Sequence, residues 1–223
     1  MTATIRWVTF DCFGTLVDWH AGFAAILRPL VFDRTPEVMD AYHRFERAIE
    51  AERPHRLYKD VLALSLLRAA GAVGVPMSES QARTLPGRWA TLPVFEDVEP
   101  TLDGLRRAGY RLGVLTNCDE DLFEQTGRSF RAPFDLVVTA ERAGSYKPSP
   151  VHFRRFEEWS GVQKRDWVHV ACSWFHDIKP AHDHGVSAIW LDRDRTGEDR
   201  TIATARVESA ADVCAAVAEI FDR

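Results

Sequence analysis

The chain has no apolar run near the roughly 20 residues that span a bilayer, so no membrane helix is expected. It has no excess of positive charge: the formal net charge is -5 and the sequence pI is about 5.9. Nucleic acid is therefore not the expected partner. No CxxC pair occurs. The four cysteines, Cys12, Cys118, Cys172 and Cys214, are too scattered for a structural zinc site or a disulfide framework. The start, IRWVTF, lacks a basic region, apolar stretch and cleavage site, which reads as no signal peptide and a cytoplasmic protein. Repeats and low-complexity tracts are also missing, and lysine is scarce, with four against 24 arginines.

What is present is an ordinary globular composition, 46% hydrophobic and 27% charged over 223 residues. That suffices for one substantial core, or a core with a smaller satellite. Short β-branched or apolar runs at 5–10, 111–116, 134–139, 167–172 and 187–192 read as strands. Helical patterns lie between them, at 99–108, 119–129, 149–160, 178–184 and 209–221. This alternation predicts an α/β fold, a parallel sheet with helices on both faces. From 18 to 94 only helical segments such as 36–52 and 57–70 appear. The expected division is a core of residues 1–17 and 95–223, with a helical cap, residues 18–94, inserted after the first strand. Hinges are expected at 17–20 and 92–97, and the charged stretch 192–200 reads as a solvated loop.

Ligands of such sheets bind beyond the carboxyl ends of the strands. The residues there are Asp11 and Cys12, then Thr116, Asn117 and Cys118, then Cys172, Ser173 and Asp177, with Lys147 in the loop after the third strand. Asp11 opens the turn Asp-Cys-Phe-Gly-Thr. Backbone N–H groups can hold such a carboxylate and aim it outward as a nucleophile, or it can simply cap the next segment. Gly14 allows the tight turn, and the Thr15 hydroxyl is within reach of the carboxylate. His176 reads either as a proton shuttle or as a helix-start residue packed on the loop. Trp19 reads as pocket wall or hinge packing, and Tyr42, Phe45 and Tyr58 as core by their spacing. Convergence of Cys12, Cys118 and Cys172 at three strand ends suits buried apolar filling better than a soft-metal site.

Asp11 through Leu16, Thr116-Asn117, Lys147-Pro148 and the Ser173/Asp177 pair together resemble, in order, the four motifs of the haloacid dehalogenase superfamily. The resemblance implies a Rossmann-like core, an aspartyl-ester intermediate and a cap that closes over a small molecule. Phosphatases of that superfamily look like Asp-x-Asp at the first motif, where the second Asp protonates the leaving alkoxide; here it is Phe13. An alkoxide needs that proton and a halide does not. The same phosphatases hold magnesium with an acid at the position of Cys172, and a thiol is a poor magnesium ligand. What remains resembles an L-2-haloacid dehalogenase, implying no metal, no cofactor and, as a partner, only a small 2-haloacid.

By that resemblance Asp11 attacks the halogen-bearing carbon and water then hydrolyses the ester near Asp177 and Lys147, with Thr15 completing the catalytic set. Thr116 and Ser173 bind the substrate carboxylate, Asn117 lies near the halide, and Cys12 and Phe13 line the pocket. Arg44 is taken as the halide-binding arginine of the cap, with His43 and Arg47 as alternatives. A homodimer is in keeping with the family. The sequence departs from it at Cys172-Ser173-Trp174, where Ser-Ser-Asn is expected, and at Phe153, where a tyrosine is expected. Three other readings stay open: a phosphonate hydrolase using the lone cap lysine, Lys59; an unusual phosphatase acting on a phosphate ester; and a small-acid-binding scaffold whose water site is filled by Trp174.

Overall fold

The computed structural model describes residues 5–195 and 201–223. Six parallel strands form one sheet in the order β3-β2-β1-β4-β5-β6. They are β1 (Trp7–Phe10), β2 (Arg111–Thr116), β3 (Leu136–Thr139), β4 (Trp167–Ala171), β5 (Ser187–Leu191) and β6 (Ala205–Val207). β1 is central, pairing with β2 on one side and β4 on the other. Its four residues WVTF are all buried, as expected of a strand covered on both faces. Val8 and Phe10 point into one core cluster and Trp7 into the other.

Between β1 and β2 every described element is helical. The long ones are α1 (Trp19–Val31), α2 (Thr35–Glu50) and α3 (Tyr58–Ala72). The segments that leave and re-enter the sheet lie side by side. Asp18 donates its N–H to the Pro93 carbonyl at 2.8 Å, and Phe95 donates to Leu16 at 3.0 Å. Gly22 of α1 sits so close to this return that a Cβ would come within 2.3 Å of Leu92.

The strands expected at 5–10 and 134–139 each start two residues later, and β6 was not foreseen because three half-buried residues give no period. The stretch expected as a solvated loop at 192–200 begins otherwise. Asp192 is buried and paired with Arg206, and Arg193 turns inward. Its guanidinium donates to both oxygens of Asp97 at 3.0 and 2.9 Å and to the Thr15 carbonyl at 3.0 Å. It also lies 3.9 Å over the Phe95 ring. Residues 196–200 lie outside the described residues.

Asp97 also accepts from the Ser209 hydroxyl and the Ala210 N–H. Burial alone would raise its pKa; Arg193 and these donors lower it instead. One bidentate pair thus ties the returning segment, the first turn after β1 and the C-terminal helix together. Arg193→Ala is expected to lower the unfolding free energy by about 2–3 kcal/mol, the range for lost charged hydrogen bonds, as measured by urea titration.

Candidate active site

The loops after β1, β3 and β4 meet at the carboxyl end of the sheet, beside its reversal of strand order, where open α/β sheets bind ligands. The turn after β1 is closed by the Cys12 carbonyl, which accepts from Leu16 and Val17 at 2.8 and 3.0 Å. Gly14 holds φ +96°, and a Cβ there would lie 2.8 Å from the Cys172 sulfur, so the turn requires glycine for both conformation and space. Thr15 donates its hydroxyl to Asp11 Oδ2 at 2.8 Å and accepts the Cys172 N–H at 3.0 Å. It therefore joins the ends of β1 and β4.

Lys147 is the centre of the cluster. Its side chain is 1% exposed. An ammonium has three N–H donors, and all three are used: Asp11 Oδ1 at 2.8 Å, Asp177 Oδ1 at 2.6 Å and the Leu115 carbonyl at 2.8 Å. Asn117 fixes the lysine backbone from both sides, donating to the Lys147 carbonyl at 3.1 Å and accepting its N–H at 2.7 Å. Burial would depress the lysine, but the two carboxylates outweigh it and raise its pKa. The carboxyls are pushed apart. Burial raises Asp11 against the pull of Lys147, with the Asp177 charge adding to the rise. At Asp177 burial is overcome by Lys147 and by a hydrogen bond from His169, and the pKa falls to about 2.

That histidine was not foreseen. His169 is fully buried within β4, and its Nε2 lies 3.1 Å from Asp177 Oδ1. Trp167 can only donate, and its Nε1–H goes to Thr9 Oγ1 at 2.8 Å. A carboxylate can only accept, so His169 donates from Nε2 to Asp177, while its Nδ1 lies 2.9 Å from the Thr9 hydroxyl. The only sequence signal was three polar-capable residues inside two fully buried strands.

A cleft of about 220 Å³ lies over this cluster, small enough to suit a small-molecule ligand. Of the predicted residues, Asp11, Phe13, Asn117, Lys147, Ser173 and Asp177 line it. Thr15 acts from behind Asp11. Cys12 and Thr116 do not line it: both are fully buried, and the Thr116 hydroxyl turns to the Cys118 sulfur. Arg44 is exposed and absent from the lining, whereas His43, Glu46, Arg47 and Glu50 of α2 line it. On a helix those four share a side, and position 44 turns away from it. Arg47 makes no hydrogen bond or ion pair among the described residues; its guanidinium lies 5.6 Å from the Phe175 ring.

Trp19 and Tyr58 also line the cleft, and Phe13 packs on Trp89 at 4.9 Å. His176 both packs and faces the cleft. It pairs with Ser173 Oγ at 3.0 Å, and burial holds its pKa below the usual histidine range. Trp174 instead packs against Trp190 with its ring tilted, 5.3 Å away, and is not in the lining, so it does not plug a water site. Lys59 is also outside the lining and bound to Asp121 at 2.6 Å, with its pKa raised by that bond, the opposite of what a Schiff-base lysine needs. Phe153 is buried against His169, 5.1 Å away. Cys172 reaches the cleft, but burial and then Asp11 push its thiol up to about 12. Among the described residues no three His, Cys, Asp or Glu side chains are placed to hold a metal ion, so the cysteines form no soft-metal site.

With this geometry in hand, the haloacid dehalogenase-like hydrolase family matches residues 5–185. A cattle protein, haloacid dehalogenase-like hydrolase domain-containing protein 3, is 36% identical over 103 residues, 45% of this chain and 40% of its own length. The chain thus matches less than half of that relative. Haloacetate dehalogenase H-2 of Moraxella sp. is 22% identical over 200 residues, 85% of this chain and 86% of that one. Phosphoserine phosphatase of Thermus thermophilus is 32% identical over 109 residues, 48% of this chain and 44% of its own. Among solved structures, an L-2-haloacid dehalogenase superposes with a TM-score of 0.88 at 22% identity, covering 97% of this chain and 100% of its own.

Two outcomes follow from the buried cluster. Lys147→Met leaves two carboxylates facing each other without their cation and is expected to cost about 3–5 kcal/mol of stability in urea unfolding. Asp177 has a folded pKa below its unfolded value near 3.9, so its contribution is present above about pH 4 and lost as pH falls toward about 2. The stability difference between the protein and its Asp177→Asn variant should therefore be constant at neutral pH and close on acidification.

Proposed function

The chain belongs to the haloacid dehalogenase-like hydrolases, and from that premise we propose that it displaces halide from a small 2-haloacid through an ester on Asp11. One Asp11 oxygen attacks the halogen-bearing carbon; a C–O bond forms, the C–halogen bond breaks and its electron pair leaves with the halide. Displacement from behind inverts that carbon. Water then attacks the Asp11 carboxyl carbon. The oxyanion formed faces Lys147, which already holds Oδ1 at 2.8 Å. Asp177 Oδ2, buried and without a partner, is the acceptor available to the attacking water. Collapse breaks the bond between the carboxyl carbon and the ester oxygen; the proton that Asp177 took from water passes to the leaving alkoxide, releasing a 2-hydroxyacid, and the Asp11 carboxyl gives up its remaining proton to solvent. Arg47, the unpaired guanidinium of the cleft, receives the substrate carboxylate.

The observation that carries this reading is Phe13, packed on Trp89 in the cleft wall where a phosphatase would place its acid. Nothing carboxylic stands there to protonate an alkoxide, and a halide needs no proton. The donors also fit magnesium poorly. Both Asp11 oxygens are held, by Lys147 and Thr15, and Asp177 Oδ1 by Lys147 and His169. A protonated thiol at Cys172 adds no oxygen ligand.

The test is halide release from 2-chloropropionate with EDTA present, followed by one turnover in H₂¹⁸O. Mass spectrometry should find the label in the Asp11 carboxyl, and Asp11→Asn should lose at least a thousandfold in rate. Label appearing only in the hydroxyacid would refute the ester. Magnesium-dependent phosphate release without halide release would refute the dehalogenase reading. The rate should also fall on the acid side as Asp11 protonates, at a pH above the ordinary aspartate value because burial raises its pKa.

A further inference from the structure

The cleft holds more acceptors than donors. Four carboxyls line it, Asp11, Asp177, Glu46 and Glu50, against two obligate cations, Lys147 and Arg47. Lys147 has no proton left for a ligand, since its three donors are taken within the protein. Among the described residues that line the cleft, Arg47 is the cation left to meet a carboxylate. On the other side of the count, three acceptors lack full partners. Asp177 Oδ2 has none although its side chain is only 1% exposed. Glu46 takes the Tyr42 and Tyr58 hydroxyls at 3.1 and 2.8 Å, both on Oε1. Its Oε2 has only His43, at 3.7 Å. The Glu50 carboxyl has no hydrogen bond or ion pair among the described residues.

One water at Asp177 satisfies the first of these. The other two stand one helical turn apart on α2, where like charges repel. Burial first, and Glu46 next, raise the Glu50 pKa against the opposing charges of Lys147 and Arg47, and a further cation set between the two glutamates relieves their repulsion. A methyl group or departing halide set against this pair leaves it unpaired and repelled. Resting on the dehalogenase reading of the cleft, we infer that the substrate is a 2-haloacid whose other end carries an ammonium group, received by Glu46 and Glu50. Arg47 takes its carboxylate while Asp11 attacks the carbon between. The two glutamates are specificity residues, and a plain haloalkanoate is a poor substrate.

The experiment compares kcat/KM for 3-amino-2-chloropropionate, 2-chloropropionate and 2-chlorosuccinate in the protein and in its Glu50→Gln and Glu46→Gln variants. The amino acid should exceed the plain acid by at least tenfold and chlorosuccinate should be worst; in Glu50→Gln the first ratio should fall toward one. A ratio at or below one, or one unchanged in both variants, overturns the inference. In parallel, calorimetry measures binding of 3-amino-2-hydroxypropionate against lactate and malate, which needs no carbon–halogen cleavage. If no haloacid reacts but the amino compound binds at least tenfold tighter and loses this in Glu50→Gln, the dehalogenase reading falls and acidic recognition stands. Equal binding of all three compounds sinks the recognition whatever the kinetics.

Discussion

A single buried ammonium organises this protein. Lys147 reaches the interior from the loop after β3 and there meets Asp11 from the end of β1, the Leu115 carbonyl of β2 and Asp177 beyond β4. A charge taken out of water must find opposite charge and full hydrogen bonding, or the fold cannot hold it. Four neighbouring segments of the sheet are therefore bound to one set of positions by one group. The supporting contacts extend outward from it: Asn117 on the lysine backbone, Thr15 between Asp11 and Cys172, and the Trp167–Thr9–His169 chain behind Asp177. Asp11 is held in place because both of its oxygens are already bonded, one to Lys147 and one to Thr15.

That commitment also divides the cleft chemically. On its sheet side the lysine is spent on its own carboxylates, and Asp177 Oδ2 stays bare. Its other wall, from α1 through Trp89, is aromatic near Phe13 and acidic along α2. On the proposed reading the reaction takes place at Asp11 on the sheet side, while selection between molecules falls to the inserted helices. The paired segments around Asp18, Pro93, Leu16 and Phe95, secured by Asp97 and Arg193, hold those helices against the first turn. On that reading, reaction and selection are carried by different parts of the chain but share one small volume.

How much of this was legible depended on the range of the interaction. Asp11, Phe13, Gly14 and Thr15 form one turn, so their chemistry is written in consecutive letters; Lys147 and Asp177 stood out by scarcity and by position at strand ends. Arg44 shows where such reading stops. Arg44 and Arg47 are equally basic, and only the rotation of α2 against the core decides which meets the cleft. Cys12 and Thr116 fail for a related reason, since alternate residues at a strand end face the core. His169, Thr9 and Arg193 act across strands or across most of the chain, where no local pattern records a partner.

By itself the sequence determined the α/β alternation, the helical insertion after β1, the turn that carries Asp11 and the presence of a phenylalanine where an acid would serve a phosphate ester. These follow from side-chain periodicity, turn chemistry and residue identity, all short-range properties of a chain. Tertiary structure alone decided that Lys147 has no proton to spare, that Asp177 keeps one bare oxygen, and that Glu46, Arg47 and Glu50 line the cleft with Asp11. Those depend on which groups are brought together when the sheet and helices pack, and a buried charge takes its properties from its neighbours rather than from its own letter.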